Sequence, residues 1–569
     1  MATGIIRDFL YRYISRYRGM ALVSLGLMLV VAISRMAPAY ILKVAIDRYI
    51  SRSDFHGLSV AALLYLFFIC LEYGAIYLQV YVTQLFGQSV IREMRLETFT
   101  HLLRLPIPYF DRTPLGKNLH YVTSDMENIN EFITSGIVTS VGDVITIVGM
   151  LAVMFYLNIP LTGVVILFFL LLAPVVDTFR RRFHTAYRQS RESVSEMNAF
   201  MGESLAGIYV SKAFHRREAD MAKFGEKNEL YMNAFKKVIL YLSLYLPAVE
   251  SIGMLSILAI LWASGHMLSL GAVTFGTIVA FMEYSNKLYT PIRDLSEKYN
   301  VYQNAYSSLE KLHKLHATQA EEAMGSRGPE DVAGDIELRN VWLSYDGDDV
   351  YALKNINLRI REGEKLGIVG LTGSGKTSLI NLLLGFYVPT KGEILIGGRP
   401  LAAYSMEAIR KAFGIVSQDV YIFPRTIREN LFTPDDALQP DLDLLIRGFS
   451  DEGPDKMIAE EGHNLSGGEK QLIAIGRMIV YRPRYVILDE ATSSIDRYLD
   501  EKVRDIIDGE FRTATRLVIA HRISTMVDMD RIIVIHDGEL AEEGNHEELL
   551  EKKGLYDHLY SIYKSGGRL

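Results

Sequence analysis

Six apolar stretches fill the first 290 residues, at about 20–45, 57–82, 134–157, 160–178, 239–263 and 269–290. Each is close to the roughly 20 residues that cross a bilayer as a helix. No comparable run follows. Residues 330–569 instead alternate short β-rich runs with helical patterns, as a water-soluble α/β domain does. The composition shows the same duality, with 49% apolar and 22% charged residues in one chain of 569. That length exceeds one compact domain. The chain is therefore expected to join a membrane part to a soluble part.

Charge orients the membrane part. The linker between stretches 2 and 3 carries Arg92, Arg95, Arg104, Arg112 and Lys117. The linker between stretches 4 and 5 carries Arg180, Arg181, Arg182, Arg188, Arg191, Arg216 and Arg217. The short turns at 157–160 and 264–267 carry no Lys or Arg, although Arg48 and Arg52 lie in the first outer loop. Cationic residues concentrate on the cytoplasmic side. The N-terminus, the long linkers and the soluble part are thus predicted to be cytoplasmic, with the chain multi-pass in a bacterial cytoplasmic membrane. The long linkers have few Gly or Pro and keep helical spacing, as in Met197, Phe200, Met201 and Leu205. Each breaks once, at 106–116 and 213–218, and puts an apolar Phe110 or Phe214 at the turn. The net charge of −7, with no basic block, argues against a nucleic-acid partner. The single cysteine, Cys70, excludes an intramolecular disulfide or a multi-cysteine metal site.

The soluble part carries a phosphate-binding loop running from Gly370 to Thr377. It follows a strand-like Leu366–Val369 and opens a helix at Ser378, the context that this motif requires. Gly370, Gly373 and Gly375, with Thr372 and Ser374, let backbone N–H groups close around phosphates. Lys376 would reach the β and γ oxygens and Thr377 would offer its hydroxyl to Mg2+. ATP and Mg2+ are the expected cofactors. An apolar strand ends at Asp489 and Glu490. Asp489 is suited to hold Mg2+, and Glu490 to act as general base on the attacking water. Gln418 follows another strand and would complete the Mg2+ and water shell. His521 closes a later strand, placed to contact the γ-phosphate, and Tyr345 offers a ring to adenine. A second Gly-rich segment, Leu465-Ser-Gly-Gly-Glu-Lys-Gln471, precedes the Asp489 strand.

Taken together these motifs make the whole chain resemble a half-transporter of the ATP-binding cassette exporter type, six membrane helices followed by one nucleotide-binding domain. The resemblance implies a helical transmembrane domain over 1–315, a linker over 316–333, and an α/β P-loop ATPase domain with a helical subdomain over 334–569. Tyr345 resembles the family's A-loop aromatic, Gln418 its Q-loop and Leu465, Ser466, Gly467, Gly468 and Glu469 its signature. Asp496 falls in the D-loop and His521 is the switch histidine. The family completes each ATP site between the P-loop of one cassette and the signature of another. A second half-transporter, identical or related, is therefore an implied partner, and Phe110 and Phe214 would sit on coupling helices. Two features depart from the family pattern. Glu469 stands where Gln is usual, and the segment 430–465 is about a dozen residues short, leaving only Ala459–Gly462 as the loop expected to touch a coupling helix.

Three acids interrupt the apolar stretches: Glu72, Asp143 and Glu250. A carboxylate at a membrane-helix centre costs about 2.5–3.5 kcal/mol on insertion scales and so faces a partner or a cavity. Either the three pair internally, with a Tyr hydroxyl or a base such as Arg35, or they line a translocation cavity. In the second case Tyr65, Tyr73, Tyr77 and Tyr241 would help to favour cationic amphiphiles. The expected activity is ATP-driven export or flipping of amphipathic compounds such as drugs or lipids. The alternatives are import through an exporter-like fold, and a membrane ATPase that regulates another protein.

Overall fold

The computed structural model describes residues 10–321, 325, 327–431, 453–489, 505–519 and 526–564. The chain forms two compact units. One comprises Met1–Leu103 and Gly116–Thr318; the other comprises Arg104–Leu115 and Gln319–Leu569.

The first unit is built on six long helices, α1 (Arg18–Val44), α2 (Phe55–Leu102), α3 (Thr139–Leu157), α4 (Ile159–Ala206), α5 (Arg217–Ser269) and α6 (Phe275–Ala317). Five helical stretches, Leu10–Ile50, Phe55–Leu102, Leu115–Leu157, Ile159–Ala206 and Arg217–Ser269, are long and apolar enough to cross a membrane. The sixth expected stretch falls on α6, which is more polar because Glu283, Asn286 and Lys287 interrupt it. Packing explains this. Phe281, Tyr284 and Leu288 are fully buried within the unit. The Tyr284 hydroxyl donates to the Met36 carbonyl at 3.0 Å and the Lys287 ammonium to the Arg35 carbonyl at 3.2 Å. A helix enclosed by its neighbours can carry polar groups that a lipid-facing helix cannot. At 48 residues, α2 and α4 are each about 70 Å long, well beyond the ~30 Å hydrocarbon layer.

Local chemistry sets the helix ends. Asn158 adopts extended backbone after α3, and its side chain accepts from the Leu161 N–H at 3.0 Å, while Pro160 occupies the first turn of α4. One residue thus ends one helix and caps the next. Asp47, in a π-helical turn (Ala45–Ile50) after α1, accepts from the Gly276 N–H at 2.8 Å and the Thr274 hydroxyl at 2.5 Å. Gly276 is required there, since a Cβ would lie 2.4 Å from the Lys43 carbonyl oxygen. At the far ends of α2 and α6, the His101 and His316 rings stack at 5.0 Å, and Thr98 bonds His316 at 3.1 Å.

The second unit holds two sheets. The smaller is antiparallel, in the order β2 (Leu353–Ile360), β1 (Ile336–Leu343), β4 (Lys391–Ile396), β5 (Arg399–Pro400). The larger runs β10 (Glu539–Gly544), β9 (Arg531–His536), β3 (Lys365–Val369), β8 (Thr515–Ile519), β7 (Tyr485–Asp489), β6 (Phe413–Val416). Strands β9, β3, β8, β7 and β6 are parallel neighbours. The central strands are buried along nearly their whole length, which is why they read as unbroken apolar runs rather than as alternating ones.

Replacing Asp47 by Ala should strip the Gly276 N–H in the first turn of α6 of its carboxylate acceptor and cost about 1–3 kcal/mol, as expected for bonds to a charged acceptor. A lowered melting temperature of the detergent-solubilised chain, with Asp47→Asn falling between the two, would show it.

Candidate functional site

In an open parallel sheet, ligands bind beyond the carboxyl ends of the strands. Here that edge brings Gly370, Gln418 and Asp489 together. Strand β3 lies between β9 and β8 and delivers Gly370 to the edge. The loop then turns into helix α7 (Lys376–Leu383). Gly373 and Gly375 take φ of 82° and 111°, open to glycine and strained for other residues. A Cβ on Gly370 would lie 2.3 Å from the Ile535 carbonyl oxygen and 2.6 Å from the Ser374 hydroxyl. No side chain caps the N-terminus of α7, so its first N–H groups are available to an anion. The Ser374 hydroxyl is buried without a partner among the described residues. Lys376 folds back over the loop, donating to the carbonyls of Gly370 at 2.7 Å and Leu371 at 3.0 Å.

The register places the remaining groups level with this loop. Asp489 of β7 pairs with Ile519 of β8, and Ile519 with Ile368 of β3. Val416 of β6 pairs with Leu488, so Gln418 emerges beside Asp489 and is exposed. Thr377 is exposed at the start of α7. Thr377, Gln418 and Asp489 are oxygen donors, a set that suits Mg2+. Glu490, Asp496 and His521 lie outside the described residues.

Tyr345 follows β1 and is half-buried. Its hydroxyl donates to Ser378 at 2.9 Å, which ties it to the helix that the phosphate loop opens. Its ring packs edge-on against Tyr387, with centroids 4.7 Å apart. Tyr387 is a residue that sequence reasoning missed. Its hydroxyl donates to Asp111, and burial together with the Asp111 carboxylate pushes its pKa up. Arg112 donates to the Tyr345 carbonyl and to the Asp346 carboxylate at 3.3 Å. Asp111 and Arg112 belong to the short helix Ile107–Arg112, which folds as part of the ATPase unit although it lies between membrane helices in sequence. Phe110 on that helix is partly covered, at 39% exposure, and meets Tyr109 edge-on. Phe214 stays 74% exposed beside His215, whose φ is 53°.

The signature segment starts helix α8 (Gly467–Tyr481). Ser466 caps it: the Ser466 hydroxyl accepts from the Glu469 N–H at 3.2 Å, and the Glu469 carboxylate accepts from the Ser466 N–H at 2.6 Å. This reciprocal capping box accepts Glu or Gln equally well, so Glu469 preserves the local geometry. Leu465 is buried and Gly468 lies within the first turn. Arg477, further along α8, donates to the carbonyls of Asn430 at 2.7 Å and Tyr421 at 2.9 Å. It thereby holds the signature helix to the segment that follows Gln418, and burial lowers its pKa. The expected contact loop is a short 3-10 turn, Glu460–Gly462, with Glu461 at φ 53°.

In the membrane unit, two of the three predicted acids have basic partners. Glu72 pairs with Arg35 at 3.0 Å and Asp143 with Lys298 at 2.5 Å. Arg35, Asp143 and Lys298 line a cavity of about 560 Å3. Glu250 is exposed on α5 and does not line it, and neither do Tyr65, Tyr73, Tyr77 and Tyr241.

Residues 21–292 match the family described as ABC transporter transmembrane region, and residues 353–493 match the one described as ABC transporter. The chain is 30% identical to an uncharacterized ABC transporter ATP-binding protein of Bacillus subtilis (strain 168), over 97% of this chain and 93% of that protein. It is 28% identical to the ATP-dependent lipid A-core flippase of Desulfotalea psychrophila, over 97% and 98%. Its fold matches a bacterial Atm1-family ABC exporter structure solved with ATP bound, with a TM-score of 0.76, 24% identity and coverage of 97% and 98%.

Substituting Gly370 by Ala should abolish nucleotide binding, because the added methyl cannot clear Ile535. Titration with a fluorescent ATP analogue would read this directly, and affinity within two-fold of wild type, about 0.4 kcal/mol, would contradict it.

Proposed function

Given that this chain belongs to the ABC transporters and is an ATP-driven transporter of exporter type, we propose that it is one half of a dimer that exports or flips amphipathic compounds across a bacterial cytoplasmic membrane. The observation that carries the cargo class is the cavity in the membrane unit, whose wall mixes paired charges with aliphatic side chains. The relative named as a lipid A-core flippase supports a lipid-like cargo.

One chain holds one phosphate loop and one signature helix. Each copy would therefore lend Ser466 and the α8 N-terminus to the γ-phosphate held by its partner's Gly370–Thr377 loop. Lys376 would exchange its loop carbonyls for phosphate oxygens. Thr377, Gln418 and Asp489 would hold Mg2+, which when bound neutralises charge on the phosphates. Tyr345 would stack on adenine. Glu490 would take the proton of the attacking water, and His521 would contact the γ-phosphate. Two bound nucleotides would close the dimer and hydrolysis would release it. The turns bearing Phe110 and Phe214 would carry that movement to the membrane helices, a rigid-body change of the kind that ligand-driven closure produces.

Substituting Glu490 by Gln should leave ATP binding intact while turnover falls by about 100-fold or more, as for loss of a general base. ATPase assays on the reconstituted chain, with size-exclusion in ATP to detect the trapped dimer, test this. Cargo-stimulated hydrolysis in proteoliposomes separates a transporter from a regulatory ATPase, and the face on which cargo accumulates separates export from import.

A further inference from the structure

The first unit holds another cavity, of about 880 Å3, that the proposed transport cycle does not use. It lies between α2 and the segment 122–127. Gln88, Arg92, Arg95 and Phe99 form one wall, and Val122, Ser124 and Glu127 face them. Arg92 stands about ten residues beyond the apolar stretch of α2, and so about 15 Å further along the helix. The cavity therefore belongs to the water side and not to the hydrocarbon.

The neighbouring acids leave its arginines unpaired. Glu93 and Glu97, on the same stretch of α2, pair with Arg16 and Arg12 of the N-terminal segment. Asp125 accepts from Ser308 at 2.7 Å and from Lys311 at 3.1 Å, both on α6. Arg92 is exposed and makes no hydrogen bond or ion pair among the described residues. Arg95 makes no ion pair among them but is held by the backbone. The helices Leu115–Val122 and Ser124–Glu131 meet at Thr123, where φ of −114° and ψ of −92° interrupt the helix. At this break the Val122 carbonyl accepts from the Arg95 Nε–H at 3.0 Å. The two terminal amino groups of Arg95 stay available as donors. Glu127, on the facing wall, accepts from the Asn130 amide at 3.2 Å and pairs with neither arginine.

Two guanidinium groups one helical turn apart offer more donors than a single carboxylate can accept. A phosphate monoester has three terminal oxygens and close to two negative charges, and can engage both forks. Leu96, Phe99 and Val122 place apolar surface beside them. We infer that this cavity binds a water-soluble organic phosphate, with the phosphate on Arg92 and Arg95 and an apolar body against Leu96 and Phe99. The site is separate from the cargo cavity, and its ligand would join α2 to the segment that leads into α3. Glu127 repels the phosphate and limits its affinity.

Naphthyl phosphate is a suitable probe, with naphthol as the uncharged control. Binding would be measured by calorimetry on the full-length chain in phosphatidylcholine nanodiscs. The Gly370–Thr377 loop can also take phosphate, so the difference between variants is what reports this site. Arg92→Gln should weaken naphthyl phosphate by about ten-fold, the scale of one charge contact, and Arg92→Lys by less. Glu127→Gln should tighten it, and neither change should affect naphthol. Arg92 has no bond to lose within the described fold, so an unchanged melting temperature is expected alongside. Equal affinity in wild type and Arg92→Gln overturns the inference, as does an equal loss of naphthol binding. Binding abolished in nanodiscs containing phosphatidic acid but kept in those with as much phosphatidylglycerol would assign the site to a lipid headgroup and overturn the soluble ligand.

Discussion

A charge inside a bilayer must find its opposite within the protein, and this requirement shapes the membrane unit more than any other. Arg35–Glu72 joins α1 to α2, and Lys298–Asp143 joins α3 to α6. Removing one partner would strand the other in a medium of low dielectric, so each pair fixes the register of two helices as firmly as packing does. The same requirement explains α6. Its Lys287 and Tyr284 reach backbone carbonyls of α1, and such contacts are available only to a helix that its neighbours enclose. Polar residues could then accumulate on the helices that border the cavity, where a cargo with a polar head would need them.

The ATPase unit solves a different problem, namely how to bring distant segments to one edge without long loops. Parallel strands do so by ending on the same side. Gly370, Gln418 and Asp489 are far apart in sequence, yet the pairing of β3, β8, β7 and β6 sets them level. Of two helix N-termini, one is left open at the phosphate loop and the other, at the signature segment, is capped by Ser466. This leaves the nucleotide chemistry to a few side chains at strand and helix ends, each held by a backbone that is fully bonded beneath it.

Much of this was legible in the sequence, because the signals are local. The phosphate loop, the strand ending at Asp489 and the Gly-rich segment Leu465–Gln471 each fit within a dozen residues. The six membrane stretches were legible for the same reason, although α6 registers weakly because its polar groups are satisfied by residues some 250 positions away. What depends on pairing across such separations was not visible. Nothing in the surroundings of Asp111 points to Tyr387, and nothing near Arg477 points to Tyr421. The acids show the limit most clearly. Glu72 and Asp143 attracted attention by being improbable in an apolar run, whereas Lys298, the partner of Asp143, lies 155 positions away.

Residues 104–115 fold with the cassette yet are encoded between two membrane helices. The two units are therefore not modules in the sense of gene fusion or truncation. A chain cut after residue 318 would retain Asp111 and Arg112 but lose Tyr387, Tyr345 and Asp346, the groups that they bond. Conversely, a cassette expressed from residue 319 onward would lack a helix that belongs to its own compact unit. Exchange of cassettes between related transporters would have to conserve this dozen-residue insert together with the surface that receives it, so the unit of inheritance is the whole chain.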